Sequence, residues 1–289
     1  MAVVWIFPLA GARGASAGDP RLWLLLAQVS GLAGSGFVLN QLQDLAGDSA
    51  NAKCPTLARG LASPREARAL AVLLLCGALL ASLALGPWHL AAAGLFFLLT
   101  GLCYNLPPCR AKDRPLLAPL LAAPAFALLL LQGSALRGGL GLALGLWSGL
   151  PLVLAGISMS LLATVPDRAG DAAAGKRTWT VAFGARSTWR ASCLLMAVAA
   201  LLALAGRDLQ VGLPALSAAL LMLRQARRKA DAGEPADEAL RVLRWSAALQ
   251  GLALAPSWPG MVLLLLLFLL GARVYYRRRF GLDYPSLRA

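Results

Sequence analysis

Residues 21–48 read RLWLLLAQVSGLAGSGFVLNQLQDLAGD, and both the fold and the chemistry turn on this stretch. After Arg21 it carries no charge until Asp44, and a hydrocarbon core about 30 Å thick is crossed by roughly 20 such residues in a helix. At its far end Asn40, Asp44 and Asp48 follow one another at intervals of four. On a helix of 3.6 residues per turn that spacing lines all three along one face, drifting by roughly 40° per step. An ionised carboxylate near hydrocarbon costs on the order of 2.5–3.5 kcal/mol even on the lenient insertion scale, so such acids face a protein interior or a water-filled cavity. The stretch reads as a membrane span that ends in a polar mouth.

Outward from it the apolar pattern repeats. Arg21–Leu42, Ala67–Leu85, His89–Tyr104, Leu116–Gln132, Leu140–Thr164, Ala191–Gly206, Val211–Leu223, Leu240–Ala255 and Pro259–Tyr275 are all candidate spans. The chain of 289 residues is 59% hydrophobic and 14% charged, whereas water-soluble domains run near about 25% charged, which excludes a soluble globular enzyme. The expected fold class is all-α: a polytopic transmembrane helical bundle of about nine helices around a central cavity. No linker rich in Pro, Gly or Ser divides the chain, so 1–289 reads as one membrane domain. Met1–Ala10 is apolar but too short to span and has no basic region of a secretory signal before it; it reads as a first helix entered partway. The segment 256–289 reads as an extra C-terminal helix with a basic tail, in which Arg277, Arg278 and Arg279 anchor to anionic headgroups.

The net charge of +14 is explained by topology. If the loop after the first full span is cytoplasmic, so are 43–66, 105–115, 165–190, 224–241 and the tail after Tyr275, and 23 of the 27 Lys and Arg lie in or beside these segments. That is a positive-inside pattern. No interleaving of basic and aromatic residues suggests a nucleic-acid face, and no obligate protein partner is implied. The five cysteines are scattered without a CxxC, which supports neither a disulfide frame nor a zinc site. The chain reads as a multi-pass integral membrane protein, in a bacterial inner (plasma) membrane, with the mouth of its site on the cytoplasmic side.

Acids are scarce, 13 in all, and two pairs of them share one spacing. Asp167 and Asp171 repeat the Asp44 and Asp48 interval after four further spans, an even number that returns the chain to the same membrane face. Four carboxylates converging there repel one another, and a divalent cation or two relieves the repulsion. Carboxylate oxygens suit Mg²⁺, which is commonly bound by one or two carboxylates together with substrate phosphates. Lys53 and Arg59 follow the first pair, and Arg168, Lys176 and Arg177 surround the second, supplying cations for a phosphate. The ligand expected from these residues is a diphosphate carrying a hydrophobic tail in the apolar space between helices.

These residues resemble a family. Asn40-x-x-x-Asp44-x-x-x-Asp48, then Asp167-Arg168-Ala169-Gly170-Asp171 leading into Gly175-Lys176-Arg177-Thr178 and Phe183-Gly184, look like the two signature loops of the UbiA superfamily of intramembrane prenyltransferases. The stretch Tyr104-Asn105-Leu106-Pro107-Pro108-x-Arg110-x-Lys112 is similar to a Tyr-Ser-x-Pro-Pro stretch of several branches. The resemblance implies Mg²⁺ held by Asp44, Asp48, Asp167 and Asp171, an isoprenyl diphosphate as donor, and a lipophilic or aromatic acceptor. It implies that Asn40 orients the diphosphate, that Lys176 and Arg177 contact its oxygens beside Lys53 and Arg168, and that Tyr104 lies near the reacting centre. The acceptor expected is an aromatic or quinone-precursor ring; glycerol-phosphate lipid, chlorin and phosphosugar acceptors are alternatives. Two departures concern the acceptor: Gln41 follows Asn40 where many members have Asp, and Asn51–Arg59 replaces a later Arg-Pro stretch.

Two other functions share some of these features. A CDP-alcohol phosphotransferase also gathers aspartates at helix ends, but its Asp-Gly and Ala-Arg pairs are missing around Asp44 and Asp48. A cation-binding membrane transporter would place charged groups near mid-span or break helices there, whereas these acids cluster at one end. His89, the only histidine, is predicted on the opposite membrane face from both acid pairs and is read as neither base nor ligand.

Overall fold

The structure, a computed structural model, describes residues 2–50, 57, 60–137, 142–227 and 236–281. Among these residues there is helix and connecting turn but no strand, and the α-helices number twelve. In chain order they are α1 (Ile6–Gly11), α2 (Pro20–Ala50), α3 (Pro64–Leu85), α4 (Pro87–Phe97), α5 (Leu117–Ala135) and α6 (Leu142–Leu162), followed by α7 (Arg168–Ala173), α8 (Trp179–Phe183), α9 (Ala185–Ala205), α10 (Leu209–Arg227), α11 (Ala236–Ala253) and α12 (Pro259–Phe280). A π-helical turn, Leu98–Cys103, extends α4. The nine predicted spans fall on α2 to α6 and α9 to α12. Five helical stretches among the described residues are long and apolar enough to cross a membrane: Pro20–Leu45, Pro64–Leu85, Leu117–Ala135, Ala185–Ala205 and Leu209–Arg227.

Local chemistry sets the starts of the helices that reach the site. Asp19 Oδ1 accepts the Arg21 N–H at 2.8 Å while Pro20 takes the first position of α2, where its missing N–H costs nothing. Helix α2 then runs 31 residues, about 46 Å at 1.5 Å per residue, well beyond a hydrocarbon core. It therefore carries Asn40, Asp44 and Asp48 out of the apolar layer as continuous helix. Ser63 and Glu66 form a reciprocal capping box at the start of α3, ahead of Pro64. Gly86, at φ +118°, makes the one-residue turn between α3 and α4.

Leucines cover the outside: Leu73, Leu80, Leu194 and Leu201 are all about two-thirds exposed, as a lipid-facing surface requires. The interior packs as two clusters. Leu22, Leu25, Val29 and Leu32 of α2 meet Ile6, Phe7 and Leu9 of α1 and Leu128 to Leu130 of α5. In the other, Met196, Ala199 and Ala200 of α9 meet Ala215, Ala218, Ala219 and Met222 of α10, with Ala155 and Leu162 of α6. Small side chains there let backbones approach closely, which is how membrane helices gain contact without a hydrophobic driving force. The short apolar N-terminal stretch enters this bundle as α1: Trp5 Nε1 donates to Ser30 Oγ at 2.8 Å, and Leu9 O accepts from Trp258 Nε1 at 3.0 Å.

Candidate active site

Helix α2 delivers Asp44 to the end of the bundle, and the short α7, which follows α6 after a turn, delivers Asp171 there as well. Both side chains are buried. Their carboxylates share one ammonium: Lys176 Nζ lies 3.0 Å from Asp44 Oδ1 and 3.4 Å from Asp171 Oδ1. Lys176 gains this position because the backbone turns back at Gly175, φ +70°, and its own N–H donates to Asp171 O at 2.9 Å.

A second lysine completes the cluster from a third element. Lys112 Nζ donates to Asp44 Oδ2 at 2.8 Å and to Asn40 Oδ1 at 3.0 Å. Arg110 Nη2 stands 3.9 Å from Asp44 Oδ1, and Arg110 Nε pairs with Asp113 Oδ2 at 2.6 Å. Lys112 and its neighbours sit on the short 3₁₀ turn Ala111–Asp113, between the π-extended α4 and α5. Sequence reading assigned no role to Arg110, Lys112 or Asp113. The available signal was the arrangement of two cations and one acid within four residues of a loop between apolar stretches, Arg110-Ala111-Lys112-Asp113.

Asp167 is half-buried immediately before α7, four residues from Asp171, whose N–H donates to Asp167 O at 2.8 Å. Tyr104 follows the π turn, half-buried, within electrostatic reach of Asp44, Asp113, Asp171 and Asp167. Arg168 and Arg177 have exposed side chains; what Arg177 contributes inside is its backbone N–H, donated to Asp113 O at 3.2 Å. Asp48 continues the α2 helix, with its side chain outside the description, and Lys53 and Arg59 lie outside the described residues.

Burial works against the charges of Asp171, Lys112 and Lys176. It pushes the Asp171 carboxyl above its ordinary range, although Lys176 pulls the other way. It lowers the Lys112 ammonium despite the hydrogen bond to Asp44. Burial also pulls Lys176 down, but Asp44 and Asp171 outweigh it and its affinity for the proton rises. The arrangement is a buried, alternating array of carboxylates and ammoniums, suited to holding a multiply charged anion together with cations.

The sequence profile of the UbiA prenyltransferase family matches residues 1–248. The chain belongs to that family. This UbiA-family member has the fold of solved relatives: a UbiA homologue from Aeropyrum pernix K1 at 20% identity, with TM-score 0.68 over 87% of this chain and 96% of that one. A UbiA homologue from Archaeoglobus fulgidus, solved with GPP and Mg²⁺ bound, has TM-score 0.63 at 18% identity over 88% of this chain and 96% of that one. A digeranylgeranylglyceryl phosphate synthase structure has TM-score 0.60 at 16% identity over 89% and 92%. At these identities the likeness establishes fold. No curated protein matches significantly by sequence. Membership makes this chain an integral membrane enzyme of the prenyltransferase class.

Proposed function

We propose that the enzyme transfers an isoprenyl group from an isoprenyl diphosphate to an aromatic or quinone-precursor ring, in a Mg²⁺-dependent reaction at the cytoplasmic face of a plasma (bacterial inner) membrane. One observation carries the reading: two buried carboxylates from motifs more than a hundred residues apart, Asp44 and Asp171, are bridged by the single ammonium of Lys176. A cation already bridges them.

The donor set suits Mg²⁺. Its carboxylate oxygens are hard ligands of the kind Mg²⁺ takes, and that ion is commonly completed by substrate phosphates. Asp44 and Asp171 would hold it, with Asp48 and Asp167 of the same motifs. When bound it neutralises the diphosphate and assists departure of the leaving group. The Archaeoglobus relative of this fold has GPP and Mg²⁺ bound, which supports the assignment.

The chain's own residues do the rest. Lys112 and Lys176 are placed to take diphosphate oxygens, and the Asn40 amide fixes their orientation beside Lys112. As the allylic C–O bond breaks, its electron pair passes to the bridging oxygen. Preplaced ammoniums meet that growing charge without reorganising, which is the most effective way to lower such a barrier. Electrons of the acceptor ring close the new C–C bond to the allylic carbon, and the ring proton leaves to the diphosphate or to water. Tyr104, within electrostatic reach of the acids, would face the reacting centre.

Purified protein in detergent, given Mg²⁺, radiolabelled isoprenyl diphosphates and an acceptor panel, should release diphosphate and label a ring acceptor. Asp44→Ala and Asp171→Ala should each lower that rate by about a thousandfold, the scale of losing one main electrostatic stabiliser. Unchanged release in both variants would sink the proposal. Labelling of a glycerol-phosphate lipid alone would overturn the choice of acceptor and leave the donor chemistry standing.

A further inference from the structure

Between the two acidic motifs the chain inserts a basic loop, residues 105–114, whose geometry is fixed by its one acid. We infer that Asp113 is a positioning residue: it clamps this loop against both motifs so that Arg110 and Lys112 are presented to the diphosphate. The inference rests on the prenyl-transfer reading and assigns a residue that reading leaves unused.

Asp113 acts through two groups. Its carboxylate Oδ2 holds Arg110 Nε at 2.6 Å, and its carbonyl accepts the Arg177 N–H at 3.2 Å, tying the loop to the segment that follows the second motif. The Arg110 guanidinium is a planar fork. Its Nε is ion-paired with Asp113 while its Nη2 lies 3.9 Å from Asp44 Oδ1, so the guanidinium stands between the two acids. Lys112, adjacent to Asp113, reaches Asn40 and Asp44 on the first motif. The loop is thus fastened to α2 at one side and to the residues after α7 at the other.

The backbone agrees with a clamp. Arg110 holds φ +38°, ψ +55°, a left-handed conformation that non-glycine residues keep only where surrounding contacts over-determine it. Those contacts are the Asp113 pair, the hydrogen bond from Arg110 N to Leu106 O at 2.8 Å and that from Asp113 N to Arg110 O at 3.1 Å. Removing the Asp113 charge would free Arg110 to turn toward water, since 38% of its side chain is already exposed.

The test uses the full chain in detergent with Mg²⁺ and a non-reacting prenyl thiodiphosphate, measured by calorimetry, alongside steady-state transfer. Asp113→Asn should weaken binding of the analogue and raise the KM for the prenyl diphosphate by about tenfold each, with a smaller fall in kcat. Asp113→Glu should recover most of the loss. Because Asp113 acts on Arg110, Arg110→Gln combined with Asp113→Asn should be no worse than Asp113→Asn alone. Additive losses, or Asp113→Asn binding as tightly as the wild type, would overturn the clamp; so would a change confined to the Mg²⁺ requirement, which would make Asp113 a metal ligand. Failure of the wild type to bind the analogue would overturn the prenyl-transfer reading itself, and the clamp with it.

Discussion

Lys112 is the residue that most changes how the site is understood. It is buried to nearly the same degree as Asp44, its partner, and it also fixes the Asn40 amide. Lys112→Met should therefore lower stability by about 2 kcal/mol, the worth of a hydrogen bond to a charged group. Lys176 still pairs with Asp44 in that variant, so the chain should fold, melting earlier in detergent. Its KM for the prenyl diphosphate should rise more than its kcat falls, and a variant with unchanged KM would remove Lys112 from the binding group. The acids at this scale were legible, because carboxylates are rare in an apolar chain and their four-residue spacing is a local signal. Lys112 was not. Among 27 basic residues, proximity to the second acidic motif marked Lys176, whereas only the cluster of charges at Arg110–Asp113 hinted at Lys112, whose turn inward to Asp44 depends on packing.

At the scale of elements, α2 and α1 show opposite degrees of legibility. Helix α2 was legible from its apolar run and from the helical spacing of Asn40, Asp44 and Asp48; it runs past the end of the apolar run at Leu42 to Ala50, so these residues leave the apolar layer while still helical. Helix α1 could not be placed from its sequence, since six residues do not span and do not stand alone as a helix. What holds it is close backbone contact with α5. A Cβ added at Gly133 would lie 2.0 Å from Pro8 O, and one added at Gly11 would lie 2.1 Å from Leu130 O. Gly133→Ala should push α1 off α5 and cost about 1–3 kcal/mol, as overpacking does. The expected readout is a lower melting temperature in detergent; a variant that melts like the wild type would mean that α1 is not held this way.

On the scale of the whole molecule, the family profile ends at residue 248 while the helices continue to Phe280. Helix α12 exposes Leu263, Leu267, Phe268 and Leu270 by more than half, as a lipid-facing span does, whereas Trp258 just before it is 1% exposed and bonded to Leu9 O. Two opposite outcomes follow from that contrast. Removing 259–289 should leave a folded enzyme with most of its transfer activity in detergent. Trp258→Ala should destabilise the bundle by about 3 kcal/mol, because it empties a buried aromatic site and removes the link from the chain's end to α1. If the truncation unfolds and the Trp258 variant does not, the roles of these two parts are reversed.

The sequence by itself determined the class of fold, the run of apolar helices and the two acidic motifs. Each of these is written in local periodicity, composition or spacing, which a chain carries whatever its packing. Only the tertiary structure decided which cations meet those acids, that α1 seats against α5, and that the loop of Asp113 lies between the motifs. Those facts join residues such as Asn40 and Lys112, or Leu9 and Trp258, that lie 72 and 249 positions apart. Contacts at that separation depend on how helices stack and where buried charges find partners, and no local pattern records either.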